Sequence, residues 1–191
     1  GYLVVCVDGR GTGFRGKKFA SVVYKNLGKY ETEDQIAAAR YVALLPYVDA
    51  SKIGIFGWSF GGYETLMAMT APGNPYAAGI AVAPVTDWRL YDSVYTERFM
   101  LTPQQNSVGY DASSTLGRIK NLKGNLLIVS GTADDNVHIA NTFEFVSEAT
   151  SQNKILDMMV YPNKNHFING CETRLALYTK LLDYFNRNLK K

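Results

Sequence analysis

The glycine-rich segment Gly57-Trp-Ser-Phe-Gly-Gly62 constrains what this chain can fold into more than any other stretch. A short apolar run at residues 53–56 precedes it, and a stretch suited to a helix at residues 63–69 follows it. A serine at the apex of a sharp turn between a strand and a helix is typical of a nucleophile elbow. We expect Ser59 to adopt a strained backbone, and side chains at 57 or 61 to collide with the neighbouring strand or helix. A glycine-rich connection that carries no chemistry is the alternative.

Short apolar runs alternate with stretches of helical periodicity along the rest of the chain. Five runs are predicted to be strands, at residues 2–7, 53–56, 78–83, 125–130 and 156–161. Because parallel strands are joined by right-handed crossovers, this alternation predicts an α/β fold with a mostly parallel sheet and helices on both faces. A length of 191 residues suits a single domain. Cys6 lies within the first run and is predicted to be a buried thiol.

Composition excludes several classes of function. The net charge is only +3 and the basic residues are scattered, so the chain is not predicted to bind nucleic acid. No apolar run reaches the length of about 18 residues that a membrane span needs. Two cysteines match no metal-ligand spacing, and Gly11-Thr-Gly13 lacks the third glycine of a dinucleotide motif, so neither metal nor cofactor is expected. The chain opens inside a predicted strand, which favours a piece of a longer protein.

A nucleophilic serine needs a base and an acid that orients it. The chain has only two histidines, and His166 lies in the loop after the last predicted strand, whereas His138 falls in the first turn of a helix. We therefore take His166 as the base. Asp134 and Asp135 both follow the strand before it, and the chain order Ser, Asp, His is that of α/β-hydrolases. These residue types alone do not separate the two aspartates.

Three segments, residues 57–63, 91–98 and 131–138, closely resemble the catalytic domain of the prolyl oligopeptidase family, and most of all its dipeptidyl peptidase IV branch. The resemblance covers essentially the whole chain. It implies an α/β-hydrolase fold in which residues 1–191 form part of the catalytic domain, without the first strands of the sheet. It also implies that Asp134 is the acid.

The resemblance further implies how substrate is bound. Asn136 is expected to contact a backbone carbonyl of the substrate, and the backbone N–H of Phe60 to stabilise the oxyanion. A proline-sized pocket is expected to be formed by Phe60, Val85, Trp88, Tyr91 and Tyr95. A pyrrolidine ring is best recognised by shape against flat aromatic faces. Plain core packing is the alternative explanation of these aromatic residues.

The expected activity is that of a serine exopeptidase that releases N-terminal Xaa-Pro, and less readily Xaa-Ala, dipeptides from peptides through an acyl-enzyme. A prolyl tripeptidyl peptidase, a non-catalytic binding homologue and an inactive fragment are the alternatives. The resemblance also implies a homodimer acting on periplasmic or extracellular peptides that contain proline.

Three departures from the family pattern qualify the resemblance. The family usually has tyrosine where Phe60 stands. The cysteines that form a disulfide in the animal enzymes are absent, which favours a bacterial-type relative. In the family, the segment upstream of residue 1 supplies the first strands, a tyrosine of the oxyanion hole and a β-propeller whose glutamates bind the substrate's amino terminus.

Overall fold

The computed structural model describes residues 1–190 and contains seven α-helices and four strands there. In chain order they are α1 (Lys17–Ser21), α2 (Lys29–Val42), β1 (Gly54–Trp58), α3 (Phe60–Met69), β2 (Ala78–Val82), α4 (Ser93–Met100), α5 (Ser107–Ser113), β3 (Asn125–Gly131), α6 (Ala140–Ser151), β4 (Asp157–Tyr161) and α7 (Cys171–Leu189). Short 3₁₀ turns span Trp88–Leu90 and Leu116–Asn121. No helix within residues 1–190 combines the length and the apolar character needed to cross a bilayer.

The four strands form one parallel sheet in the order β1-β2-β3-β4. Every residue of β2 is buried, and so is β3 from Leu126 onward, as expected for strands covered on both faces. Because all four strands point the same way, the loops that follow them meet at one edge of the sheet. The loops after β1, β3 and β4 carry Ser59, Asp134 and His166.

Helices cover both faces of the sheet, as predicted. Leu126 and Ile128 face one core, which contains residues of α2, α3 and α6. Leu127 and Val129, which alternate with them along β3, face a second core formed with α7. The α/β architecture with a parallel sheet is therefore confirmed.

The prediction of a strand at residues 2–7 is wrong. No strand is assigned to this segment, and Val4 is 87% exposed. A groove of about 710 Å³ separates it from the outer edge of β1, although the hydroxyl of Tyr2 does donate a hydrogen bond to Oδ1 of Asn186 (3.0 Å). An apolar run becomes a strand only where a neighbouring backbone completes its hydrogen bonds, and no described strand pairs with this one. For the same reason Cys6, predicted to be buried, is exposed.

Candidate active site

Ser59 occupies the sharp turn between β1 and α3. Its backbone angles are φ 59° and ψ −117°, a combination that a non-glycine residue rarely adopts. Two hydrogen bonds hold this conformation: Ser59 N–H donates to Val82 O of β2 (2.8 Å), and Ser59 O accepts from Tyr63 N–H of α3 (2.9 Å). The expected strained elbow is present, and the side chain is half-buried.

The glycines around Ser59 allow the strand and the helix to approach closely. A Cβ at Gly57 would lie 1.9 Å from the carbonyl oxygen of Gly61, and one at Gly62 would lie 2.8 Å from Val82 O. A Cβ at Gly61 would meet nothing within 4 Å. The steric prediction is therefore correct for Gly57 and wrong for Gly61, because here it is the backbone of residue 61 that fills the space.

Asp134 and His166 form a buried pair. Nδ1–H of His166 donates to Oδ2 of Asp134 over 2.8 Å, and the two residues are each only 5% exposed. The other carboxylate oxygen, Oδ1, accepts from the backbone N–H groups of Asn136 (2.9 Å) and Val137 (2.8 Å). With the proton on Nδ1 facing a carboxylate, Nε2 of His166 is left free to accept a proton. Asp135 is exposed, so the geometry distinguishes two aspartates that the residue types could not.

The His166 loop is anchored beside the serine elbow. Nε1–H of Trp58, the residue before Ser59, donates to the backbone oxygen of His166 (3.0 Å). Within residues 1–190 no hydrogen bond joins the side chains of Ser59 and His166, and such contacts are often long before substrate binds. His138 lies exposed just before α6, where Nδ1 accepts from Ala140 N–H (3.2 Å).

The predicted pocket residues converge on Trp88. The ring centroids of Phe60, Tyr91 and Tyr95 lie 5.7, 5.8 and 5.9 Å from that of Trp88. Val85 belongs to the same apolar cluster. Trp88 is 1% exposed, so it forms the floor of the cluster, while the other three rings remain partly exposed.

Asn136 is connected to this cluster through Tyr91. The Tyr91 hydroxyl donates to Oδ1 of Asn136 over 2.7 Å. Partial burial raises the pKa of Tyr91, so the hydroxyl keeps its proton and remains a donor at neutral pH. The hydrogen bond orients the amide so that its NH₂ group is available to another acceptor.

Sequence reasoning missed two aromatic residues that support the site. The ring of Tyr63 packs edge-on against Trp88 at 5.0 Å, and its hydroxyl lies 2.8 Å from Ser113 O. Trp58 holds the His166 loop as described above. Their positions could have indicated this role, because Trp58 lies within the glycine-rich segment 57–62 and Tyr63 directly follows it.

Residues 1–191 match the sequence profile described as the prolyl oligopeptidase family. The chain belongs to that family. It is 48% identical over 188 residues to a protein of Ajellomyces capsulatus (strain H88) named "Probable dipeptidyl-aminopeptidase B", covering 96% of this chain and 20% of that relative.

Two bacterial crystal structures share the fold. Dipeptidyl peptidase 4 of Porphyromonas gingivalis aligns with a TM-score of 0.95 at 55% identity, over 96% of this chain and 26% of that one. A related protein from Bacteroides ovatus aligns with a TM-score of 0.91 at 35% identity, over 95% of this chain and 26% of that one. The sheet is thus that of an α/β-hydrolase, and the chain spans about a fifth (20%) of the length of the fungal relative.

Replacement of Gly57 tests the packing at the elbow. Gly57→Ala should lower the free energy of unfolding by about 3 kcal/mol or more, because the new Cβ overlaps the Gly61 carbonyl. Gly61→Ala is the matched control and should change it by less than about 1 kcal/mol. Urea denaturation followed by circular dichroism measures both. Equal effects of the two substitutions would contradict the packing described here.

Proposed function

We propose that this chain carries the catalytic machinery of a serine exopeptidase that releases N-terminal Xaa-Pro dipeptides, and less readily Xaa-Ala dipeptides, from peptides. The observation that carries the proposal is the buried hydrogen bond between His166 and Asp134 at the same sheet edge as the strained Ser59. The names of the relatives, dipeptidyl-aminopeptidase B and dipeptidyl peptidase 4, support release of dipeptides.

In the proposed reaction, Oγ of Ser59 attacks the carbonyl carbon of the second residue, and Nε2 of His166 takes the hydroxyl proton. Asp134 stabilises the resulting imidazolium. His166 then gives the proton to the leaving amine nitrogen as the peptide bond breaks, which leaves the dipeptide esterified to Ser59. Water, deprotonated by His166, attacks this ester, and protonation of Oγ releases the dipeptide.

The negative charge of the tetrahedral intermediate needs donors on the carbonyl oxygen. Phe60 is the first residue of α3, so its N–H has no acceptor within the helix and is free to donate. The positive end of the helix dipole reinforces that donor. We assign Phe60 N–H as one oxyanion contact.

Proline would be recognised by the aromatic cluster. Tyr91, Tyr95 and Phe60 present partly exposed ring faces above the buried Trp88, and a pyrrolidine ring offers only shape and apolar surface to them. Asn136, oriented by Tyr91, would donate its NH₂ group to a backbone carbonyl of the substrate.

The proposal also covers the longer protein of which this chain is a part. Since the chain spans only a fifth (20%) of its fungal relative, we propose that residues 1–191 are part of a hydrolase domain that acts together with a β-propeller. We further propose a homodimer that acts on periplasmic or extracellular peptides.

A release assay tests the proposed activity. The complete gene product that contains these residues is incubated with Gly-Pro and Ala-Ala-Pro chromogenic amides. We expect release from Gly-Pro, and a fall in kcat of roughly 10⁴-fold or more in Ser59→Ala. Preference for the tripeptide would instead indicate a tripeptidyl peptidase. If neither amide is cleaved but a fluorophosphonate still labels Ser59, the proposed triad would stand and the proposed proline pocket would be wrong.

The two adjacent aspartates allow a matched test of the acid. Asp134→Asn should lower kcat by about 10³-fold or more, because an amide at this position does not stabilise the imidazolium. Asp135→Asn, one residue along and exposed, should leave kcat within about two-fold. Steady-state kinetics on the Gly-Pro amide separates them, and a large loss in Asp135→Asn would refute the assignment.

A substitution that keeps the ring of Tyr91 tests the role of its hydroxyl, which bonds to Asn136. Tyr91→Phe should lower kcat/KM by about 3- to 10-fold, since one hydrogen bond that orients Asn136 is lost. The control is Tyr95→Phe, whose hydroxyl makes no hydrogen bond within the described chain, and it should change kcat/KM less than two-fold by the same reasoning. When Asn136 is already replaced by alanine, Tyr91→Phe should cause no further fall in kcat/KM. An equal fall in that background would show that the hydroxyl acts on another group.

A further inference from the structure

A second cavity, of about 320 Å³, is lined in part by the Phe60 and Tyr95 rings. The loop at residues 9–12 and residues of α2, α3 and α4 contribute to its lining. Phe60, Tyr95 and Phe99 form an apolar wall, whereas Glu31 and Glu64 bring two carboxyl groups to the same space. The cavity therefore has an apolar part and an acidic part.

Glu31 is the unusual member of this lining. It is only 5% exposed, yet its Oε2 atom has no hydrogen-bond partner within residues 1–190. A buried carboxylate oxygen without a partner is unfavourable by more than a neutral polar group, so proteins seldom leave one. This oxygen marks a position where a hydrogen-bond donor would be stabilising.

The cationic side chain in the lining, Arg10, does not neutralise the cavity. The Arg10 guanidinium also lines it, but Nη2 of Arg10 binds Oδ1 of Asp34 (2.7 Å) and Oε2 of Glu33 (3.0 Å), and Nε binds Asp34 as well (3.0 Å). Its charge is thus matched by two carboxylates outside the Glu31 and Glu64 pair. The surroundings of the cavity keep an excess of negative charge.

From these contacts we propose that the cavity binds an alkylammonium group, with the ammonium at Glu31 and Glu64 and the alkyl chain against Phe60, Tyr95 and Phe99. The ammonium would donate to the free Oε2 of Glu31, and the aromatic faces would add a cation–π attraction. No three His, Cys, Asp or Glu side chains in the described part of the chain are grouped to hold a metal ion, which favours an organic cation. A lysine side chain from elsewhere in the gene product and a free primary amine share this chemistry.

Without such a cation, protonation reduces the negative charge of Glu31 and Glu64. Burial, together with the charges of Glu31 and Asp34, raises the pKa of Glu64 to about 7. Burial also raises the pKa of Glu31, although the backbone at Glu31 and Gly28 and, less strongly, the charge of Arg10 oppose this. A cation favours the ionised carboxylates, so its binding must strengthen as pH rises through 7.

Because Phe60 and Tyr95 line both this cavity and the predicted proline pocket, an occupied cavity would hold the two rings in place. That consequence rests on the proposed function. Binding of the cation does not, so failure of either can be recognised separately.

Calorimetric titration of the 191-residue chain with n-butylammonium chloride tests the site. We expect saturable binding that is about ten-fold tighter at pH 8 than at pH 6, from the ionisation of Glu64 alone. The double substitution Glu31→Gln and Glu64→Gln should abolish binding without lowering the melting temperature, since it removes a repulsion. Glu172→Gln, which changes an exposed acid of α7 outside the cavity lining, should bind like the original chain.

Three outcomes would contradict the proposal. Equal heats with sodium chloride would show that the acids respond to any cation, and equal heats with n-butanol would show that only the apolar wall matters. Unchanged binding in the double variant would place the ligand elsewhere. Each of these outcomes overturns the assignment.

The complete gene product then distinguishes the source of the cation. Butylammonium binding there as well would indicate a free amine. If the complete product does not bind butylammonium, a lysine side chain of the polypeptide fills the cavity, and the double variant should then lower its melting temperature. Loss of binding in the complete product without that decrease would overturn the proposal.

Discussion

The hydrogen bond between His166 and Asp134 joins the loops that follow β3 and β4, and the chemistry proposed for this chain depends on it. Parallel pairing of the two strands brings both loops to one edge of the sheet. Burial then removes competing water, while two backbone N–H groups stabilise the Asp134 carboxylate. The pairing of the strands, and hence the apolar core beneath it, sets the orientation of the imidazole.

Much of this arrangement could be predicted from the residues, but not all of it. The runs at β2 and β3 were recognisable because burial on both faces excludes polar residues from every position. Residues 2–7 are also apolar but form no strand, since pairing depends on a neighbour that composition does not reveal. Asp134 and Asp135 likewise differ only in where the backbone directs them, which no pattern of residue types encodes.

The aromatic cluster shows a second limit of sequence reasoning. The motif residues identified the participants, but they did not reveal that Trp88 is the buried floor of the cluster. Ring packing decides such roles, and it is a property of the assembled core. The acid pair of Glu31 and Glu64 is less visible still, because these residues belong to two helices that become neighbours only when α2 packs on α3.

The strand order of the sheet follows the order of the chain. During synthesis each strand can therefore dock on the one made before it, and the serine elbow between β1 and β2 can form early. Asp134 acquires its partner only when the loop after β4 has been made. A polypeptide that ends before this loop would therefore hold the serine elbow without the oriented imidazole that the proposed reaction needs.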